Sequence, residues 1–332
     1  MKRQWKLWLG LIISAAALIL ALQGVDLRRM AESLAQAEYL YLVPATAGIV
    51  GFLFTRSVRW RLLLGSRVRL SRCFWITNIG YLASNLLPFR LGDPARAVVI
   101  ARGGEISTAA ALSTVVVERV LDMLMVVLLL AGVAPFVSET GSAVTAGLIG
   151  GGAALAASAL LLLLALRPDW GRRAVRRVLG WIPRLDGERW ALALDGLFDG
   201  LAPLRSGRRA LALLAWSVVT WTFVIAYYWA LLRAFLPQPP ALAAPFLVCV
   251  MGLGMAIPSS PGAMGVFHAV ARYGLTIPFG VPVNQAITIA FAMHTFQYIL
   301  GCLLGLIGLG RESLSLGWLQ TQITVENSEE TK

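Results

Sequence analysis

The chain has 332 residues, 58% of them hydrophobic and 14% charged, with a mean hydropathy of +0.73. A soluble domain is about 45–50% apolar and about 25% charged, so the composition excludes one and requires a chain embedded in membrane. The net charge of +12 sits in short stretches between apolar runs, which is a positive-inside pattern and excludes nucleic acid as a partner.

The apolar runs are continuous instead of alternating, which predicts helices and not a barrel. The first spans residues 7–22, behind Lys2, Arg3 and Lys6. It reads as a retained helix, because its core is long for a signal peptide and Ala21-Leu22-Gln23 is a poor cleavage site. The amphipathic link "GVDLRRMAESLAQAEY" leads to a second helix at about 39–54. Then "RSVRWRLLLGSRVRLSR" holds six arginines and no acid in seventeen residues, which predicts a cytoplasmic loop and a cytoplasmic N-terminus.

Next comes a short segment, 73–87, ending in "NLLPFRLGDPAR" (85–96), where proline, glycine and charge interrupt it. The chain resumes as "PARAVVIA" before Arg102-Gly103-Gly104. Two short pieces around such a break predict a re-entrant hairpin, since irregular backbone at depth is tolerable only against protein or a wet cavity. A long helix follows at about 107–136, then an outside loop, then a helix over 143–166 in which Gly147 and Gly151 allow close packing. The stretch 167–189 carries seven arginines against three acids, followed by Trp190, Leu194, Leu197, Phe198 and Leu201 at helical spacing. It reads as a surface-lying cytoplasmic linker helix, or in its first half as a solvated basic loop.

The second half has a helix at about 210–235 and a short run, 241–257, that breaks at "PSSPGAMG". The short piece "VFHAVARYGL" and a last helix at 283–309, with Gly301 and Gly305 spaced for packing, complete it. The polar tail is expected to fray in the cytoplasm. Charge supports this topology: the inside segments hold three N-terminal cations, six in the first arginine stretch, ten from Arg167 to Arg209, and Arg311. The outside loops hold Arg28 and Arg29, with Arg233 just within the outer end of a helix. The expected architecture is an all-α, polytopic integral membrane protein with about six full transmembrane helices plus two re-entrant helical hairpins. Residues 1–310 form one transmembrane domain: a first repeat at about 39–166, a cytoplasmic linker at about 167–208 and a second repeat at about 209–310. Residues 311–332 are the polar tail.

The repeat rests on the breaks. Asn85-Leu86-Leu87-Pro88 followed by Gly92 matches Met255-Ala256-Ile257-Pro258 followed by Gly262, and Glu118 then aligns with His294 after an insertion of about six residues. On the charge-based topology the first hairpin starts from the cytoplasm and the second from outside, the mark of an inverted repeat and of alternating-access transporters. The other reading is two unrelated Pro/Gly kinks in a glycine-rich chain.

"VVVERVLD" puts Glu118, Arg119 and Asp122 inside an apolar helix, where each charge costs at least about 2.5–3.5 kcal/mol unless partnered. Glu118 and Asp122 share a face at i, i+4, and Arg119 reaches Asp122 at i, i+3. Two readings are open: a self-satisfied ion cluster, or a polar cavity shared with Asn85, Arg90, Asp93 and Arg96 in which arginine forks hold phosphate. In the second half, His268 and Arg272 stand at i, i+4, and His294, Gln297 and Tyr298 line the last helix. The histidines read either as packed, hydrogen-bonded residues or as proton-coupling groups. Cys73, Cys249 and Cys302 read as small buried hydrophobes, with no metal cluster or disulfide framework.

With "NLLPFRLGDPAR", "TVVVERVLD" and "PSSPGAMGVF" in this order, the chain resembles the lysylphosphatidylglycerol synthase transmembrane, flippase-like family over about residues 10–310. The resemblance implies a polytopic inner-membrane protein that moves polar or aminoacylated lipids between leaflets, or serves lipid-linked glycan pathways. Its motif residues fall here on Asn85, Pro88, Arg90, Gly92, Asp93, Arg96, Glu118, Arg119, Asp122, Pro258, Pro261, Gly262 and Gly265. Two departures stand out. The aminoacyl-transfer domain of bifunctional members has no counterpart before Lys332, so synthesis of aminoacylated lipid is not expected, and Asp93 stands where many relatives have Glu.

The expectation is therefore a membrane lipid transporter, a flippase in the cell inner membrane with both termini cytoplasmic, working on a phospholipid or other polar lipid. A lipid-synthesising enzyme is a possible partner, and no cofactor, metal or catalytic residue is expected. The rival is a membrane enzyme or accessory subunit of a lipid-linked glycan or lipid-modification pathway. Against it, Asp186, Glu188, Asp195 and Asp199 lack ligand spacing, and there is no glycine-rich phosphate loop.

Overall fold

The computed structural model describes residues 4–65, 68–87, 91–137, 167–179, 202–254 and 259–319, with the single positions 156, 160, 163 and 321. Among them every regular element is helical. The first half contains α1 (Gln4–Leu22), α2 (Leu27–Ala35), α3 (Leu42–Leu64), α4 (Leu70–Leu86), α5 (Gly92–Ala101) and α6 (Thr108–Val137). After α7 (Pro168–Leu179) the second half contains α8 (Gly207–Phe235), α9 (Ala243–Gly254), α10 (Val266–Phe279) and α11 (Val283–Arg311).

Among the described residues four stretches are long and apolar enough to cross a membrane: Tyr39–Leu64, α6, α8 and α11. The pair α1–α2, bent by 80°, makes a fifth if taken as one span. The bend is built by Asp26, whose carboxylate accepts the amide hydrogens of Arg28 and Arg29 and so starts a new helix, α2, within the expected link. The sixth expected helix, 143–166, lies outside the described residues, as do Gly147 and Gly151. The amphipathic helix expected in the linker is present over Pro168–Leu179, while its apolar continuation from Trp190 also lies outside.

Inside the spans, stray hydroxyls bond back to their own helix, as apolar surroundings require. Thr55 Oγ1 donates to Gly51 O at 2.8 Å, Ser57 Oγ to Leu53 O at 2.7 Å and Ser217 Oγ to Leu213 O at 2.8 Å. Glycines let the helices touch. A Cβ on Gly48 would lie 2.7 Å from Tyr227 Cβ, and one on Gly308 would lie 2.8 Å from Trp75 O, which seats α3 on α8 and α11 on α4. The expected packing role of Gly305 is met against Leu82 of α4.

Both breaks are present. The short helices α4 and α5 pack on each other, as do α9 and α10. Gly92 begins α5 so close to the Gly80 carbonyl and Ser84 that no side chain fits there. Among the described residues α3–α6 and α8–α11 form two sets of four helices whose contacts correspond, and each set packs on the other. Helix α4 packs on α11 of the other half, and α9 on α6; α3 packs on α8. Within the halves, α3–α4 is matched by α8–α9, α5–α6 by α10–α11, and α3–α6 by α8–α11. The same contact pattern thus recurs in the two sets.

Two expectations are corrected. The arginine stretch is not wholly a loop: α3 continues to Leu64, so Arg56, Arg59 and Arg61 are helical, and Arg56 and Arg59 are buried. The helix can continue because carboxylates on α6 compensate both guanidiniums. Nor does the whole tail fray. Glu312 pairs with Arg72 at 3.1 Å, Trp318 lies under the Arg102 guanidinium at 5.2 Å, and Leu319 is buried against the first hairpin.

Candidate functional site

The charges of "VVVERVLD" are satisfied from other helices. Glu118 is fully buried at the centre: its Oε1 meets Arg56 Nε at 3.1 Å and Arg59 Nη2 at 3.2 Å, while Oε2 accepts from Arg96 Nη2. Asp122, one turn on, takes Arg59 Nη2 at 2.6 Å and Arg56 Nη1 at 3.1 Å. Arg59 also donates to Ser217 Oγ at 3.1 Å, tying in α8. The Arg96 guanidinium lies 4.7 Å from the Trp60 ring, whose Nε1 donates to Thr114 Oγ1 at 3.0 Å. Helix α3 and the first hairpin are thus pinned to α6 by one network, whose ion pairs reach beyond α6 itself.

Arg119 behaves differently. It forks onto Asp93, with Nε 2.7 Å from Oδ2 and Nη2 2.9 Å from Oδ1, and lies 3.8 Å from Asp122. Its side chain is 52% exposed, against 0% for Arg59 and Glu118. It is the accessible cation of the group. Counting Arg56, Arg59, Arg96 and Arg119 against Asp93, Glu118 and Asp122, four less three, the network carries one surplus positive charge.

This network borders a cavity of about 440 Å³ to which α3–α6 and α8–α11 all contribute. Arg56, Asp93, Arg119 and Asp122 supply charge; Phe52, Tyr81, Trp221, Tyr227, Tyr228 and Phe267 supply aromatic surface, with Gln297 from α11. A smaller pocket of about 20 Å³ between α4 and α5 shares Arg56, Tyr81, Ser84, Asp93 and Arg119 with it and adds Arg96.

The structure therefore gathers Asp93, Arg96, Glu118, Arg119 and Asp122 in one network, with Gln297 on the cavity wall. Asn85 lies at the α4–α11 contact, its Nδ2 3.7 Å from Cys302 Sγ and its carbonyl beside Gly262 of the second break. Pro88, Arg90 and Pro258 lie outside the described residues. His268, His294 and Tyr298 are not on the cavity wall; they surround the second break. The Gly265 amide donates to His268 Nδ1 at 3.3 Å, and His294 Nε2 donates to the Gly262 carbonyl at 2.8 Å. The two rings stand 4.9 Å apart, His294 is stacked on Phe267, and the Tyr298 ring is 6.1 Å from His294. Pro261, Gly262 and Gly265 form the turn itself, with Gly262 and Gly265 at positive φ.

Glu118 ties α6 to the first hairpin through Arg96, and His294 ties α11 to the second break. Arg272 is elsewhere: its Nη1 donates to the Leu20 and Ala21 carbonyls at 2.6 and 2.9 Å, capping α1. Arg272→Met is expected to take this donor from the buried Ala21 carbonyl and destabilise the protein by about 1–3 kcal/mol, read as a lowered melting temperature.

Arg56 and Arg59 are the residues that sequence reasoning missed. A usable signal existed: Arg56 and Arg59 fall one turn apart on an apolar run that continues through Trp60, Leu63 and Leu64, opposite acids also one turn apart. Among the described residues no group of three or more His, Cys, Asp or Glu is placed to hold a metal ion.

Two matched sets of four helices, each with a broken hairpin, around a charge-lined cavity define a polytopic all-α membrane protein with an internal polar site. The chain belongs to the family described as the lysylphosphatidylglycerol synthase TM region, whose model matches residues 7–305. That membership links the protein to lipid modification or transport. No curated protein and no solved structure matches the chain.

Proposed function

We propose that the protein is a transporter, not an enzyme, and moves a phosphate-bearing polar lipid between the leaflets of the inner membrane, with both termini cytoplasmic. The observation that carries this reading is the half-exposed Arg119 fork at the wall of the 440 Å³ cavity. A phosphodiester presents two oxygens as Asp93 does, so it can take over the fork, and its single negative charge offsets the surplus positive one. The aromatic wall suits the uncharged part of a headgroup. Acyl chains stay in the bilayer while the exchanged halves rock about the cavity. A lipid-synthesising enzyme is a fitting partner to supply the substrate.

Arg119→Ala tests it. In vesicles reconstituted with the purified protein and a headgroup-labelled anionic phospholipid, leaflet exchange is expected to fall about 10–100-fold, the loss of one charge-assisted interaction of about 1.5–3 kcal/mol. The melting temperature should move little, because Arg119 is half-exposed and Asp93 keeps Arg96 at 3.4 Å. Undiminished exchange would remove the site; new covalent lipid species in mass spectra would make the protein an enzyme.

A further inference from the structure

Beneath the cavity, the 20 Å³ pocket has features that headgroup binding does not use. Roughly 10–15 Å³ is enough for one water-sized particle, so it has room for a single small occupant and is too small for phosphate. Two buried groups on its wall are unsatisfied. Thr77 Oγ1, 1% exposed as a residue, has no hydrogen-bond partner, unlike Thr55, Ser57 and Ser217, which bond back to their helices. Arg96 Nε, also buried, lies 3.4 Å from Asp93 Oδ1 without forming a hydrogen bond.

The chemistry of the wall says what fits. Three guanidiniums (Arg56, Arg96 and Arg119) face one carboxylate, Asp93. The hydroxyls of Thr77, Tyr81 and Ser84 can each donate. Gly92 brings in the N-terminus of α5, where Gly92 and Asp93 have amides beyond the helix's own ladder and the dipole favours negative charge. A cation is repelled here, and a neutral water would leave the surplus charge of the network uncompensated.

We propose that this pocket binds one small monovalent anion of the chloride class as a counter-ion of the resting protein. It is held by Thr77 Oγ1, Arg96 Nε and the start of α5. Because the pocket shares Arg56, Asp93 and Arg119 with the larger cavity, the test uses lipid-substrate-free protein.

The purified full chain is melted in sodium chloride and in sodium gluconate at equal ionic strength, which removes screening as a cause. Chloride is expected to raise the melting temperature by about 2–5 °C at roughly tenfold excess over its dissociation constant. Thr77→Val, which keeps the shape and removes the donor, should abolish that difference. Crystals grown in bromide should show anomalous density between Thr77 and Arg96, a measurement that stands if the variant fails to fold. Equal melting in both salts, a chloride effect that survives Thr77→Val, or bromide crystals without density there would each overturn the proposal.

Discussion

Glu118→Gln is expected to cost about 3–5 kcal/mol of stability, the largest effect of any single polar substitution in the network. The side chain keeps its shape, yet its charge compensates three buried guanidiniums at once, Arg56, Arg59 and Arg96. Without it Arg59, fully buried, has only Asp122 and the Ser217 hydroxyl. Buried charge without a counter-charge is what apolar surroundings penalise most. The measurement is the melting temperature of the purified protein, expected to fall by on the order of 10 °C. Arg59→Met should cost less, because Glu118 then retains Arg56 and Arg96, and adding it to Glu118→Gln should recover part of the loss. A Glu118→Gln protein as stable as the parent would show that the network fastens nothing.

Gly265→Ala should be comparably damaging for a different reason. Gly265 has φ 83° and ψ −61°, a conformation that L-residues rarely adopt, and a methyl group there would run into the Ser14 carbonyl of α1. Backbone strain of about 1–2 kcal/mol adds to overpacking of about 1–3 kcal/mol. The second break is also tied to α1 by the Ser260 amide, which donates to Ser14 Oγ at 2.8 Å, so pushing α1 away loosens both. Denaturant titration in detergent should show an earlier midpoint. Gly24→Ala is the control: also at positive φ but with nothing within 4 Å, it should cost only the backbone term. Equal costs for the two would deny the collision its role.

Much of this could be read from residues alone, because continuous apolar runs and Pro/Gly breaks act locally. "NLLPFRLGDPAR" and "PSSPGAMG" marked the two interruptions, and α4, α5, α9 and α10 flank them. Intramembrane acids also announce themselves, since Glu118 and Asp122 must be compensated wherever they sit. Who compensates them is a long-range matter. Arg56 and Arg59 stand more than fifty residues away, in a stretch whose charge density matches that of a cytoplasmic loop, and the counting rule cannot tell a helical end from a loop. Arg272 misled in the opposite sense. It stands one turn from His268, but its length lets it reach the end of α1 instead.

The exchange of partners between the halves has a consequence for biosynthesis. Helix α4 is complete at Leu86, yet its main neighbour α11 ends at Arg311, 225 positions later by subtraction. At roughly 5–20 residues per second the nascent first hairpin waits roughly 10–45 seconds for its companion to leave the ribosome. A chain truncated before α11 would therefore strand that hairpin in the bilayer with one flank bare, an expected target for membrane quality-control proteolysis.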